Sequence, residues 1–360
     1  MQFGVFSASD MTADALTGYT PRQCERLAGV LRVARTTEAV GLDVFSIAEH
    51  HNPPYISSSP ATILAAVAAQ TTSLILVAAT TLLSTNDPLR MAEEYATLDQ
   101  LAVGRAEITL WRGRAYPAFP WINQPLDQSM DLRLENYHLL GLLWREENVE
   151  WEGRYRTPVI NHTLTPRPFR RIPPMVWHSA VFSREIADQA AYYGDGYMAN
   201  LVAPTTRARD LVEHYRERYE EYGNGDGRTA PVSLFSQVFV GKTSQEAMAR
   251  VEPYYNYLQS RYGGSDLFNA ALRTPLAVGS RQEVIEKILG FREQYGDYQR
   301  HIFLVDHMGL PLDTVLEQVE TLGADVAPVL RREFDAMRPE GVPSDPPSHE
   351  NRYQLENALV

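Results

Sequence analysis

Two adjacent histidines, His50 and His51, follow a glutamate at the end of an apolar run, "DVFSIAEHHNPP". Imidazole titrates near neutrality, so either ring could serve as acid, base, hydrogen-bond donor or metal ligand. Joint ligation fits poorly, because neighbours on an extended segment point to opposite sides and only one can face a given centre. Zinc would also need further ligands, for which His178 and His307 are the obvious candidates. No metal site is expected. One pocket-facing histidine, acting as acid, base or donor, fits the pair better. Taken alone, the motif equally describes two capping or core histidines bonded to backbone.

Three further stretches carry groups that could act. In "ILVAATTLLSTNDP", small residues followed by threonines leave room for a flat molecule against the backbone. In "EITLWRGRAYPAF", Arg112 and Arg114 flank Gly113 at a strand end, where a guanidinium fork suits phosphate or carboxylate. An ion pair with one of the many acidic residues is the competing role for such an arginine. In "WHSAVFSREIADQAA", Ser179 and Ser183 bracket a strand-to-helix junction, where exposed N–H groups and a hydroxyl make an anion site. A simple N-cap is the alternative for Ser183. With Arg112, the two serines form a phosphate cradle drawn from two strands.

The elements that must position these groups are legible as a rhythm. Apolar runs at 3–7, 43–49, 74–83, 105–111, 174–180, 196–201, 232–241 and 301–306 alternate with amphipathic stretches. Eight strands with helices between them predict an α/β protein, a closed (β/α)8 TIM barrel rather than an open sheet. Asp87, Pro88 and Gly104 mark the start and stop of one helix. Residues 113–172 and 244–280 interrupt the rhythm after the fourth and seventh strands, where barrel enzymes place active-site loops. Residues 1–338 then form a single barrel domain, and the polar, proline-rich 339–360 a flexible or partner-docking tail.

Bulk properties narrow the class. The chain has 360 residues, 44% of them hydrophobic, and a net charge of −12 without any Lys/Arg block, which disfavours nucleic acid and anionic membranes as partners. Cys24 is the only cysteine, so an internal disulfide framework is excluded; it reads as a packing or surface residue on a helix. No basic leader with an apolar run opens the chain, and the longest apolar stretch is too short for a bilayer. A cytoplasmic enzyme is expected.

Taken in order, "EHH", "SSPATILAAVAAQTTSLILVAATTLLSTNDPLRMAEEYATLDQLAVGRAEI", the paired serines and "AVGSRQEVIEKILGFREQYG" resemble the bacterial luciferase-like flavin-dependent monooxygenases. The resemblance covers roughly residues 1–335, and DPLRMAEEYATLDQLAVGR is its most specific part. It implies FMN at the C-terminal mouth of the barrel, with a non-proline cis peptide near Ala79–Thr80 beneath the isoalloxazine. Arg112, Ser179 and Ser183 map to the phosphate end and His50 to the reactive edge, leaving His51 in support. In such enzymes reduced FMN, supplied by a separate reductase, reacts with O2 to give a flavin C4a-peroxide that oxygenates a small hydrophobic organic substrate. His50 would hold or protonate the peroxide, or deprotonate a substrate hydrate, and the chain would form a homodimer.

One departure stands out. The position before the fourth-strand arginine is often small in this family and here is Trp111, which would crowd the flavin or, with Tyr116 and Phe119, reshape the substrate pocket. Tyr254 and Tyr255 are further aromatic candidates for that pocket, loop core or a dimer interface. Two alternatives share the fold: an F420-dependent oxidoreductase using hydride transfer, and a non-catalytic partner subunit of a luciferase-like heterodimer.

Overall fold

In a computed structural model of the chain, residues 1–111, 126–200, 205–262 and 276–358 are described. Eight parallel strands close on themselves in the order β1 (Gln2–Ser7), β2 (Val44–Ile47), β3 (Ile75–Leu82), β4 (Ala106–Trp111), β7 (Met175–Ala180), β8 (Gly196–Asn200), β9 (Val232–Gly241) and β11 (Arg300–Asp306). β11 pairs back onto β1 (Gly4↔Ile302), and β8 joins β9 (Met198↔Ser233), so the sheet has no free edge. This is the closed TIM barrel expected from the sequence. The strands read as near-continuous apolar runs because one face fills the lumen and the other packs on helices.

The helical layer comprises α1 (Gln23–Ala39), α2 (Pro60–Ala68), α3 (Pro88–Ala102), α4 (Ser129–Arg145), α5 (Arg184–Tyr193), α6 (Thr205–Glu221), α7 (Ser244–Tyr262), α8 (Arg281–Tyr295), α9 (Leu312–Thr321) and α10 (Ala327–Met337). The start of α3 is set chemically: Asp87 Oδ1 accepts from the N–H groups of Leu89 (2.9 Å) and Arg90 (3.2 Å), and Pro88 occupies the first turn. Its stop uses two left-handed residues, Val103 (φ 54°) and Gly104 (φ 78°). Gly104 also lacks room for a side chain, since a Cβ there would lie 2.8 Å from the His349 ring.

Both expected insertions are present, and their described parts lie at opposite ends of the barrel. In the first, α4 carries the chain away from the mouth, and the antiparallel hairpin β5 (Val149–Trp151) and β6 (Val159–His162) follows at the far end. The second adds α7 and β10 (Ala277–Ser280), which pairs with the C-terminal half of β9 from Val238 to Gly241. Tyr254 and Tyr255 lie in a small core with Phe239, Val251, Leu276 and Met308. Tyr254 donates to Asp14 (3.0 Å) and Tyr255 to Gln237, so both are packing residues of α7.

The C-terminal segment lies against the N-terminal end of the barrel. Asp345 meets the Met1 ammonium at 2.8 Å, and α11 (His349–Ala358) packs beside the segment that enters β7. There His349 donates to the Phe169 carbonyl (3.0 Å) and Glu350 pairs with Arg170 (2.6 Å). Within the described residues, no helix is long and apolar enough to cross a membrane.

Candidate active site

The lumen is a packed floor. Val44, Val77, Ala79, Met198, Phe235, Ile302 and Leu304 form one apolar cluster there. Below it, Glu107 and Arg300 make a bidentate ion pair (2.5 and 3.0 Å), and Trp177 Nε1 donates to the same carboxylate (2.7 Å). Burial pushes the Glu107 carboxyl up, but the Arg300 charge and these hydrogen bonds outweigh it, so its pKa is lowered. The floor is closed and the mouth above it is left for chemistry.

At the mouth, Glu49 ties two strand ends together. It is 4% exposed. Its Oε2 accepts from the Leu82 N–H at the end of β3 (3.3 Å), and its Oε1 accepts from Asn86 Nδ2 (2.9 Å) and His51 Nε2 (2.9 Å). The hydrogen bond to Glu49, and then its charge, raise the His51 pKa against the opposing effect of partial burial. His51 is thus a structural member of the motif, and the clamp residue is the glutamate before the pair. Its neighbour behaves differently. The His50 N–H donates to the Ser57 carbonyl (3.2 Å), and its ring lies on Tyr55 with centroids 3.8 Å apart and planes at 16°. Burial, reinforced by His51, lowers the His50 pKa to about 4, so its ring is neutral at neutral pH.

Glu49→Ala leaves the Leu82 N–H without its acceptor and the Asn86 amide with only the Leu82 carbonyl (3.0 Å). The expected cost is about 2 kcal/mol or more, read by urea unfolding, and the His51 pKa falls, read by NMR titration of its ring protons. The sign of the pH dependence follows. His51 has a raised folded-state pKa, so its pairing stabilises below pH 6.5 and this is lost as pH rises through the folded value. In Glu49→Ala that component disappears.

Beside the clamp, the Ala79–Thr80 peptide is cis, at the position the family resemblance implied. Ala79 is buried and contributes only a methyl group to the lumen, so the backbone is the wall at this point. The ladder to β4 slips between Ala79 and Thr81, and Thr81 Oγ1 turns outward to the Tyr95 hydroxyl (3.0 Å). Trp111, half-buried, ends β4 opposite Leu82. Arg112, Tyr116 and Phe119 lie outside the described residues.

Ser179 is buried near the end of β7, paired across the ladder with Met198. Ser183 stands at the N-cap position of α5, but its hydroxyl donates to Glu185 (2.6 Å) and makes no cap bond. A helix N-terminus of this kind, with Ser183 beside it, offers N–H donors to an anion.

A buried polar chain backs this junction, and sequence reading missed it. Arg133, on the first turns of α4 and fully buried, donates to His178 Nδ1 (2.6 Å). His178 Nε2–H in turn donates to Asp195 (2.9 Å), which also accepts from the Tyr137 hydroxyl. Burial first, and the Arg133 charge with it, lower the His178 pKa despite Asp195. Both ring nitrogens are thus committed to structure one residue before Ser179. His307 is buried at the end of β11 with its pKa lowered to about 4 by burial. Among the described residues, no three His, Cys, Asp or Glu side chains converge as a metal site.

Comparison with known proteins agrees with the barrel fold. A family model described as luciferase-like monooxygenase matches residues 1–298. An uncharacterized protein of Sinorhizobium fredii, y4wF, is 25% identical over 342 residues, covering 91% of this chain and 96% of that one. The monooxygenase RslO1 from Streptomyces bottropensis superposes with a TM-score of 0.81 at 23% identity, covering 91% of this chain and 99% of that one. The oxygenating constituent of 3,6-diketocamphane monooxygenase from Pseudomonas putida, solved with FMN, gives 0.76 at 20% identity over 91% and 98%. The F420-dependent tetrahydromethanopterin reductase of Methanopyrus kandleri gives 0.70 at 16% over 91% and 99%. At these identities the structural likeness speaks for the fold.

Proposed function

Because the chain belongs to the luciferase-like monooxygenase family, we propose that it is an FMN-dependent monooxygenase. It takes reduced flavin from a separate reductase and transfers one atom of O2 to a small hydrophobic organic substrate, as a homodimer. One observation carries this reading: Glu49, next to the neutral, stacked His50, clamps the end of β3 at Leu82, just after the cis Ala79–Thr80 backbone wall, and the α5 N-terminus lies two strands away beyond Ser179.

The residues present fit the cofactor. A flat ring system needs a wall without side chains, which Ala79 provides, over a floor already packed by Val77, Met198 and Phe235. A phosphate needs donors: the α5 N–H groups, Ser179, Ser183 and, by its position in the sequence, Arg112. Bound FMN would supply the electron chemistry with O2 that no side chain can perform. The chain orients it, keeps water from the reacting edge, and places the neutral imidazole of His50 there to accept or share a proton. Ser183 must leave Glu185 to reach a phosphate, so Glu185→Gln should tighten FMN binding several-fold, read by flavin fluorescence quenching.

The activity test supplies purified protein with a flavin reductase, NADH, FMN and O2, and a panel of hydrophobic ketones, aldehydes and arenes. Products gaining one oxygen atom from labelled O2 are expected. Complete conversion of reduced flavin to hydrogen peroxide across the panel, or reduction of a panel member without oxygen gain, contradicts the reading.

A further inference from the structure

A crevice of about 480 Å³ opens on the outer flank of the barrel, at the end remote from His50. It lies between α4, the segment entering β7, the α5–β8 turn, α6 and the C-terminal segment. Its volume falls within the usual range of about 300–1,000 Å³ for small-molecule sites. Tyr137, Trp144 and Tyr193 form its aromatic wall, with the Tyr137 and Tyr193 rings edge to face at 4.8 Å.

The charged groups that face it are Asp195, Arg145 and Arg352. The Asp195 carboxylate is already used, accepting from Tyr137 and from His178 Nε2–H. Arg352 donates to the Pro173 carbonyl and so sits fixed at the rim. Arg145, exposed on the last turn of α4, makes one long 3.4 Å contact to the Gly141 carbonyl. Arg145 lines the crevice together with Tyr137, Trp144 and Tyr193. Two guanidiniums against one engaged carboxylate leave the crevice net positive.

We propose that this crevice is a second ligand site, separate from the mouth, for a small aromatic carboxylate. The ring lies against Tyr193, which is exposed, with the buried Tyr137 and Trp144 behind it, where edge and offset contacts between aromatic rings are favourable. The carboxylate meets the planar fork of Arg145, with Arg352 beside it. An ammonium in the same place would face two like charges, and a saturated ring would lose the aromatic contacts. The assignment does not depend on flavin binding at the mouth.

Calorimetric titration of the whole protein with benzoate, cyclohexanecarboxylate and benzylamine tests it. Benzoate is expected to bind at one site and more tightly than cyclohexanecarboxylate, with no benzylamine binding. Arg145→Gln, on an exposed helix turn and checked for folding by circular dichroism, should weaken benzoate about tenfold, as loss of a charge-assisted hydrogen bond implies. Arg352→Gln should weaken it as well. Absence of saturable benzoate binding, equal affinity in a folded Arg145→Gln, or stronger binding of benzylamine overturns the proposal.

Discussion

Replacing His50 by alanine is expected to lower product formation about a hundredfold, the range for a positioned acid–base group, while FMN affinity changes little. His50 has its ring flat on Tyr55 and its pKa lowered to about 4, chiefly by burial. It is therefore neutral across the working range and can accept or share a proton, but it is not a standing acid. The sign of the pH dependence follows: its folded-state pKa lies below the ordinary 6.5, so the neutral form is lost only as pH falls toward 4. Protonation of the unfolded chain sets in earlier, so stability also declines as pH drops from 6.5 to that value. The pH profile of oxygenation should show no His50 limb near pH 6.5, and His50→Ala should divert reduced flavin to hydrogen peroxide. Unchanged product yield and unchanged peroxide release would remove His50 from the chemistry.

Arg300→Met carries the largest expected effect on stability, a loss of about 3–5 kcal/mol in urea unfolding. Glu107 is buried in the lumen, held by Arg300 and by Trp177 Nε1–H. Removing the guanidinium leaves a carboxylate with one neutral donor in an apolar barrel. In the native protein the lowered Glu107 pKa contributes stability above pH 4.5 that is lost as pH falls through the folded value. The variant should reverse this, becoming less stable as pH rises and Glu107 is forced to ionise. Adding Glu107→Leu should recover most of the loss, since a buried pair replaced by apolar side chains is often near neutral. A single-variant loss below about 1 kcal/mol would show that water reaches the pair.

The strands were readable because a parallel barrel buries both faces of each, so sequence alone displays them as apolar runs with small boundary errors. β11, for example, begins at Arg300, one residue before the apolar run, because the side chain of that residue turns into the lumen to meet Glu107. His50, Ala79, Thr80, Ser179 and Ser183 could be placed from the sequence near strand ends or a helix start, because such positions are local information. Glu49 was visible as a type but not as a clamp, since its partners Leu82 and Asn86 come from the next strand end. Arg133 was hidden for the same reason. On an ordinary amphipathic helix it reads as a solvated cation, and only folding brings it to His178, 45 residues away. The Tyr254–Tyr255 pair stayed open between pocket, loop core and dimer interface, because aromatic residues on an inserted helix look the same in each; the fold puts them in a core.

The central claim is that the mouth holds FMN by a backbone wall and a phosphate cradle. An equilibrium titration of the purified protein with FMN, riboflavin and F420 tests it most directly, followed by flavin fluorescence quenching. The account predicts saturable FMN binding, riboflavin weaker by tenfold or more for want of the phosphate contacts, and F420 weaker still. Equal affinity for riboflavin would remove the cradle, and tight F420 binding with none for FMN would contradict the account.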